Sequence, residues 1–203
     1  MDLGILSMTG AASEMYKIVK AADGVPVIDM SARHYPPELI PRIAWAAYVG
    51  GALGTSTPLG YRHVVYKTKG KADNFRVFAS LPHSMAVMVV RMAERENLFP
   101  SVMAAKLRYE LYPDQEIVVL VDYEGRELDV TRQAYQVFGD KLFAVRLDTH
   151  GGRKMQGLPY PNVCDDLAKD YNYGKGVTIE AVYCMRKFLD EIGARHVKIV
   201  VSS

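Results

Sequence analysis

Short apolar segments alternate along this chain with segments of helical spacing, and this alternation constrains the fold more than any other feature. Five of the apolar segments are rich in Val, Ile, Leu and Phe; they span residues 25–30, 77–81, 116–121, 142–147 and 197–201. Because they are nearly continuous runs, they are typical of strands buried on both faces of a parallel sheet. A further segment, glycine-rich and polar, fits a short strand with its loop at 50–57.

The intervening segments predict helices, and several carry start or stop signals. They span residues 11–22, 37–49, 84–96, 101–111, 127–138 and 178–192. Pro36 and Pro37 mark one helix start, and Gly139 and Gly193 stand where two helices end. Consecutive βα units imply an α/β fold with a parallel sheet, open or closed into a barrel. Because a closed barrel needs eight such units and about 250 residues, we expect the 203 residues to be a fragment.

The composition excludes several classes of protein. The chain is 49% hydrophobic and 24% charged, as an ordinary globular chain is. Its net charge of +2 and the lack of any run of Lys and Arg argue against a nucleic-acid partner. Cys164 and Cys184 are not spaced as in a zinc site or a disulfide framework, and no signal peptide or membrane-spanning run stands out. We therefore expect reduced cysteines and a cytoplasmic protein that binds neither nucleic acid nor membrane.

Charged and polar residues stand just after the ends of the predicted strands. Arg33, His83, Asp122 and Asp148 each stand shortly after a strand, and Ser202 follows the last one. The carboxyl ends of parallel strands meet at one edge, which is where α/β barrels build their active sites. Loops are also polar because water reaches them. From these residues alone, a general phosphosugar-binding barrel is the most specific prediction.

Five ordered segments resemble a known family. They are the opening 3–12, Asp-Met-Ser-Ala-Arg-His at 29–34, Gly-Thr-Ser-Thr-Pro-Leu-Gly at 54–60, Ser-Leu-Pro-His-Ser at 80–84 and Arg-Leu-Asp-Thr-His-Gly-Gly-Arg at 146–153. Together they resemble the central part of archaeal-type nicotinate phosphoribosyltransferase, a type II phosphoribosyltransferase. The resemblance implies a parallel-stranded, incomplete (β/α) barrel. Residues 1–203 would form it as a single domain, without the family's N-terminal domain and C-terminal part.

The resemblance also implies a reaction and its partners. Nicotinate and phosphoribosyl pyrophosphate would form nicotinate mononucleotide and pyrophosphate, with ATP as co-substrate and Mg²⁺ as cofactor. Because the family's site is completed by a neighbouring subunit, a homo-oligomer is expected. The transition state resembles an oxocarbenium ion, so the site has to anchor phosphate groups and tolerate positive charge on the ribose.

Three residues within these segments are predicted to be catalytic. His83 matches the family's histidine that ATP phosphorylates, and its place at a strand end suits a nucleophile. Arg146 and Asp148 flank Leu147, so strand alternation sends both to the same side of the sheet. There they would position ribose hydroxyls or magnesium-bound pyrophosphate, or else form a buried ion pair.

The predicted substrate contacts begin with Arg33, whose guanidinium can bind a carboxylate or phosphate through two hydrogen bonds. His34 stands where the family has a second arginine. Gly54, Thr55 and Ser56 offer amides and hydroxyls to phosphate, or else form a bare turn. The other predicted contacts are Asp122 (a ribose or metal ligand, or a helix cap), Thr149, Gly151, Gly152, Ser202 and Ser203, with Arg153 as a further phosphate contact.

Two alternatives remain beside this prediction. One is a related phosphoribosyltransferase for nicotinamide or quinolinate, although neutral nicotinamide needs no arginine and quinolinate needs more positive charge than Arg33 and its neighbours offer. The other is a non-catalytic or incomplete phosphate-binding relative. His34 in place of arginine, Gly152 in place of the family's more common acid and the missing flanking regions favour it.

Overall fold

The computed structural model describes residues 3–78, 81–158 and 175–202. Contacts group them into two compact units, Met1–Ser80 and Leu81–Ser203, and the prediction of a single domain over 1–203 stays a prediction. The strands in the described ranges are β1 Ile28–Asp29, β2 Gly54–Thr55, β3 Arg76–Val77, β4 Ile117–Leu120, β5 Leu142–Leu147 and β6 Lys198–Val201. The α-helices in the same ranges are α1 Leu3–Ala21, α2 Ile40–Val49, α3 Pro58–Lys67, α4 His83–Met88, α5 Val90–Glu96, α6 Pro100–Leu111, α7 Glu127–Phe138 and α8 Ile179–Glu191.

The first unit is a small parallel sheet with its helices. Its strands pair in the order β1-β2-β3, and α2 packs against both α1 and α3. Helix α3 begins where Thr57 accepts a hydrogen bond from the Gly60 amide and Pro58 takes the first helical position. Ala44, Val64 and Phe75 form part of the buried core beneath these helices.

Gly54 packs closely against β3. A Cβ atom there would clash with the Arg76 carbonyl oxygen and would lie 2.5 Å from the Phe78 ring. We expect Gly54→Ala to cost about 1–3 kcal/mol, because overpacking displaces backbone. Gly10→Ala is the matched control, since a Cβ at Gly10 meets nothing within 4 Å and alanine is favoured in a helix such as α1. Thermal unfolding should therefore show a lower Tm for Gly54→Ala only; equal midpoints would contradict the close packing.

The second unit contains a second parallel sheet, in the order β4-β5-β6. Helices α7 and α8 provide the crossovers from β4 to β5 and from β5 to β6. Four of the six residues of central strand β5 are buried, and Val145 and Leu147 pack with Val119, Met185 and Leu189 in one core. The apolar run at 142–147 forms the central strand, as buried runs do, whereas β6 lies at the edge and its residues are half-buried or exposed.

The predicted α/β class with short parallel strands that do not close into a full barrel is confirmed. The strands of the second unit lie within the predicted segments, whereas those of the first unit are two residues long. The predicted strand at 77–81 pairs instead at 76–77, and residues 79–80 lie outside the described residues. The predicted helix at 84–96 is two helices that meet at Val89, and α3 was not predicted.

The expectations about the cysteines and about a membrane-spanning helix are tested only within the described residues. Cys184 is a free thiol, and Cys164 lies outside the described residues. Over the ranges that the structure describes, no helix combines the length and the apolar character needed to cross a membrane.

Candidate active site

The carboxyl ends of β4, β5 and β6 bring three polar side chains to one edge of the second sheet. Asp122, Asp148 and Ser202 each follow one of these strands. The pairing continues past the strands, since the Val121 amide donates to the Arg146 carbonyl and the Ser202 amide to the Leu147 carbonyl. Adjacent strands lie about 4.8 Å apart. The carboxyl edge of this sheet therefore carries the polar cluster that was expected from the residues following each strand.

His83 forms a close pair with Asp122. The His83 Nε2 and Asp122 Oδ2 atoms lie 3.0 Å apart; the Asp122 side chain is 7% exposed and that of His83 is 44% exposed. Since an ionised carboxylate only accepts, Nε2 is the donor in this pair, and in the neutral ring Nδ1 then keeps its lone pair. The other carboxylate oxygen, Asp122 Oδ1, is buried and has no hydrogen-bond partner among the described residues. A neutral imidazole held in this way can react through Nδ1, and the catalytic role of His83 stays a prediction.

The carboxylate of Asp122 is suited to a cationic imidazole. Burying a carboxylate oxygen without a hydrogen-bond partner costs desolvation free energy that no contact offsets. A positive charge on His83 recovers part of that cost through the 3.0 Å contact. Asp122 thus contacts His83 directly, and its predicted role as a ribose or metal ligand stays a prediction.

Arg146, Asp148 and Ser202 form a second, half-buried group at the same edge. Arg146 Nη2 lies 3.0 Å from Asp148 Oδ2, and Arg146 Nε donates to Ser202 Oγ at 2.8 Å. The Ser202 hydroxyl lies 3.0 Å from Asp148 Oδ1 and 3.2 Å from the Leu147 carbonyl oxygen. Arg146 and Asp148 therefore lie on one side of the strand, as alternation requires. The group presents a guanidinium whose orientation is fixed from two sides.

The loop after β5 contains three of the predicted substrate contacts. Thr149 is buried and donates its hydroxyl hydrogen to Glu127 Oε1 at 3.1 Å. The Gly152 amide donates to His150 Nδ1 at 2.9 Å, and Gly151 is exposed. Ser203 lies outside the described residues. Substrate binding by this loop stays a prediction.

The predicted contacts in the first unit have neighbours of their own. The Thr55 hydroxyl donates to Asp29 Oδ2 at 3.2 Å and is buried, and the Ser56 amide donates to the Asp29 carbonyl oxygen. Arg33 and His34 are exposed, and Arg33 Nε lies 3.3 Å from His34 Nε2. Gly54 lies beside them and has no room for a Cβ atom. The binding role predicted for these residues stays a prediction.

Two carboxylates near the edge, the half-buried Glu124 and the buried Glu127, were missed by sequence reasoning. Glu124 accepts hydrogen bonds from the Ser101 amide and hydroxyl at 2.8 and 3.0 Å and so caps α6. Burial raises the pKa of Glu124, against the opposing effect of the Ser101 hydrogen bonds and with a contribution from the charge of Asp122. Glu127 is fully buried. An acid after a turn or at a helix start is so common that neither residue gave a signal.

The described side chains do not form a cage for the expected Mg²⁺. No three His, Cys, Asp or Glu side chains come together as a metal site in the described ranges. Both oxygens of Asp148 are already engaged, one by Arg146 and one by Ser202. Magnesium commonly enters such sites on the phosphates of a substrate, with few protein ligands. The expected Mg²⁺ therefore stays a prediction.

Comparison with known proteins shows a likeness to a solved structure. No family model matches the chain, and no curated protein matches it significantly. The crystal structure of nicotinate-nucleotide pyrophosphorylase from Pyrococcus furiosus is similar to it, with a TM-score of 0.66 and 27% sequence identity. The likeness covers 96% of this chain and 40% of the other, so this chain matches less than half of that protein's length. The likeness confirms the predicted fold class, an incomplete (β/α) barrel of the phosphoribosyltransferase kind.

Proposed function

We propose that this chain carries the phosphate-handling site of a phosphoribosyltransferase of NAD biosynthesis that forms nicotinate mononucleotide. The observation that carries the proposal is the pair of His83 and Asp122 at the sheet edge that also holds Arg146, Asp148 and Ser202. The structural neighbour supports it, because a nicotinate-nucleotide pyrophosphorylase by its name acts on nicotinate nucleotide and pyrophosphate. Those two compounds are the products of the proposed reaction.

His83 couples the reaction to ATP in this proposal. Its Nδ1 lone pair attacks the γ-phosphorus of ATP, the new N–P bond forms, the bond to the bridging oxygen breaks and ADP leaves. Nε2 keeps its proton, so the phosphorylated ring is cationic. The Asp122 carboxylate, 3.0 Å from Nε2, stabilises that charge as it develops.

Arg146 supplies positive charge for the pyrophosphate that leaves in the reaction. Its guanidinium is held by Asp148 and Ser202 at the edge, so it does not have to reorganise when an anion arrives. Pyrophosphate leaves phosphoribosyl pyrophosphate as negative charge accumulates on its oxygens, and a preorganised cation favours that step. Asp148 stabilises the positive charge that develops on the ribose.

The remaining parts of the proposal concern the partners. We propose that Arg33 binds the carboxylate of nicotinate, since an exposed guanidinium can bind a carboxylate through two hydrogen bonds. We also propose a homo-oligomer in which a neighbouring subunit completes the site.

Mass spectrometry of the reaction products tests this function directly. The purified chain is incubated with phosphoribosyl pyrophosphate and Mg²⁺, with or without ATP, and with nicotinate, nicotinamide or quinolinate in parallel. We expect nicotinate mononucleotide from nicotinate, in larger amount when ATP is present. Product from nicotinamide or quinolinate alone would contradict the substrate. Folded protein without product from any of the three would favour a non-catalytic phosphate-binding domain.

A further inference from the structure

The fully buried carboxylate of Glu127, the first residue of α7, organises the loop after β5. Its Oε1 accepts a hydrogen bond from Thr149 Oγ1 at 3.1 Å and forms an ion pair with Arg153 Nη1 at 2.6 Å. Its Oε2 accepts a hydrogen bond from the Gln156 amide at 3.0 Å. One carboxylate therefore holds both ends of the exposed loop tip, residues 150–152.

Arg153 connects this carboxylate to the histidine pair. Its Nη2 donates to the Asp122 carbonyl oxygen at 2.6 Å, while Nη1 contacts Glu127. The side chain of the same Asp122 binds His83. A continuous series of contacts therefore runs from Glu127 through Arg153 and the backbone of Asp122 to the imidazole ring.

The loop and helix α7 also bind each other through Gln156. Gln156 Oε1 accepts hydrogen bonds from the amides of Leu128 and Asp129 at 2.9 and 3.2 Å, so the loop caps the first turn of α7. Gln156 Nε2 donates to Asp129 Oδ2 at 2.9 Å. These bonds fix the loop on the carboxyl-terminal side of Arg153, and the hydrogen bond from Thr149 to Glu127 fixes it on the amino-terminal side.

The stability of the fold does not by itself explain why a charged pair, Glu127 and Arg153, occupies this position. Burying an ion pair costs desolvation energy, and apolar side chains of similar volume often serve a core equally well. A guanidinium, however, presents its donors in one rigid plane. Anchoring Nη1 on Glu127 therefore sets where Nη2 points, and so where the Asp122 backbone lies.

We propose that Glu127 and Arg153 are positioning residues for the reaction of His83. They hold the backbone of Asp122 so that its carboxylate keeps the imidazole proton on Nε2 and leaves Nδ1 free to attack. The same two residues fix the loop tip 150–152 at both ends. The role in the reaction depends on the proposed function, whereas the effect on the His83 ring does not.

The first test therefore measures the ring itself. Long-range proton–nitrogen NMR spectra of the whole chain report which nitrogen of His83 carries the proton. Arg126→Ala is the matched control, because Arg126 is an exposed cation next to Glu127 that pairs with Asp129. We expect the wild type and Arg126→Ala to keep the proton on Nε2 and Arg153→Ala to show both tautomers. A wild-type tautomer in Arg153→Ala would overturn the proposal.

A lysine variant covers the case in which Arg153→Ala does not fold. Arg153→Lys keeps a positive charge opposite Glu127, but one ammonium group cannot serve Glu127 and the Asp122 carbonyl as a planar guanidinium does. We expect this variant to fold and to show the same mixture of tautomers. A single Nε2–H tautomer in Arg153→Lys would also overturn the proposal.

The second test measures phosphoryl transfer from ATP to His83. Arg153→Ala should transfer on the order of 100-fold more slowly, because small displacements of a reacting group have effects of that size. Added guanidinium ion, far below denaturing concentrations, should restore part of the rate, since the Arg153 side chain is 34% exposed. An unchanged rate in Arg153→Ala would overturn the positioning role. Transfer absent from every protein, with the tautomer changed in both Arg153 variants and not in Arg126→Ala, would overturn the proposed function and support the positioning of the ring.

Discussion

Replacing His83 with alanine is expected to abolish transfer of the γ-phosphoryl group of ATP to this chain. The pairing of Nε2 with Asp122 leaves Nδ1 as the nucleophilic atom, and alanine removes it. The wild-type chain, incubated with ATP labelled at the γ-phosphorus, should gain a label that acid removes and alkali does not. That stability is typical of a phosphorus–nitrogen bond. His83→Ala should gain none.

Two further variants separate the histidine from its partner. His196→Ala is the control, because His196 is an exposed histidine of the same unit that lies beside the Tyr135 ring; it should label as the wild type does. Asp122→Asn keeps an acceptor for the imidazole but removes the negative charge, so labelling should slow by about 100-fold or more. Full labelling of His83→Ala, or its loss in His196→Ala, would contradict the assignment of His83.

The sequence was most informative about the edge of the second sheet. Long apolar runs such as that of β5 predict buried parallel strands, and the residue after each run must then lie at the carboxyl edge. Asp148 and Ser202 were placed there by this argument alone. The first sheet was predicted less well because its strands are two residues long, which leaves little periodicity to detect.

The partners of the site residues could not be predicted, because tertiary contacts determine them. His83 and Asp122 are 39 positions apart, and no local pattern relates them. Thr55 and Thr149 are residue types common in phosphate loops, yet their hydroxyls donate to the buried carboxylates of Asp29 and Glu127. Small polar residues are ambiguous in this way, since the same hydroxyl can bind a ligand or satisfy a buried acid.

Replacing Arg146 with methionine is expected to have the largest effect on stability. The Arg146 and Asp148 side chains are 14% and 13% exposed, so methionine would leave a nearly buried carboxylate without its cation. Breaking such a pair from one side costs about 3–5 kcal/mol. Urea unfolding followed by circular dichroism should show a lower midpoint for Arg146→Met, and product formation should be lost with it. An unchanged midpoint would contradict the contribution of this ion pair to stability.

The double variant Arg146→Met/Asp148→Asn distinguishes the structural role of Arg146 from its proposed role in binding pyrophosphate. Asparagine removes the unpaired charge and keeps an acceptor for the Ser202 hydroxyl, so most of the lost free energy of unfolding should return. Product formation should not return, because the guanidinium that binds the leaving group is still missing. Recovery of both stability and activity would show that Arg146 only neutralises Asp148. Recovery of stability alone would support a guanidinium held in place for the substrate.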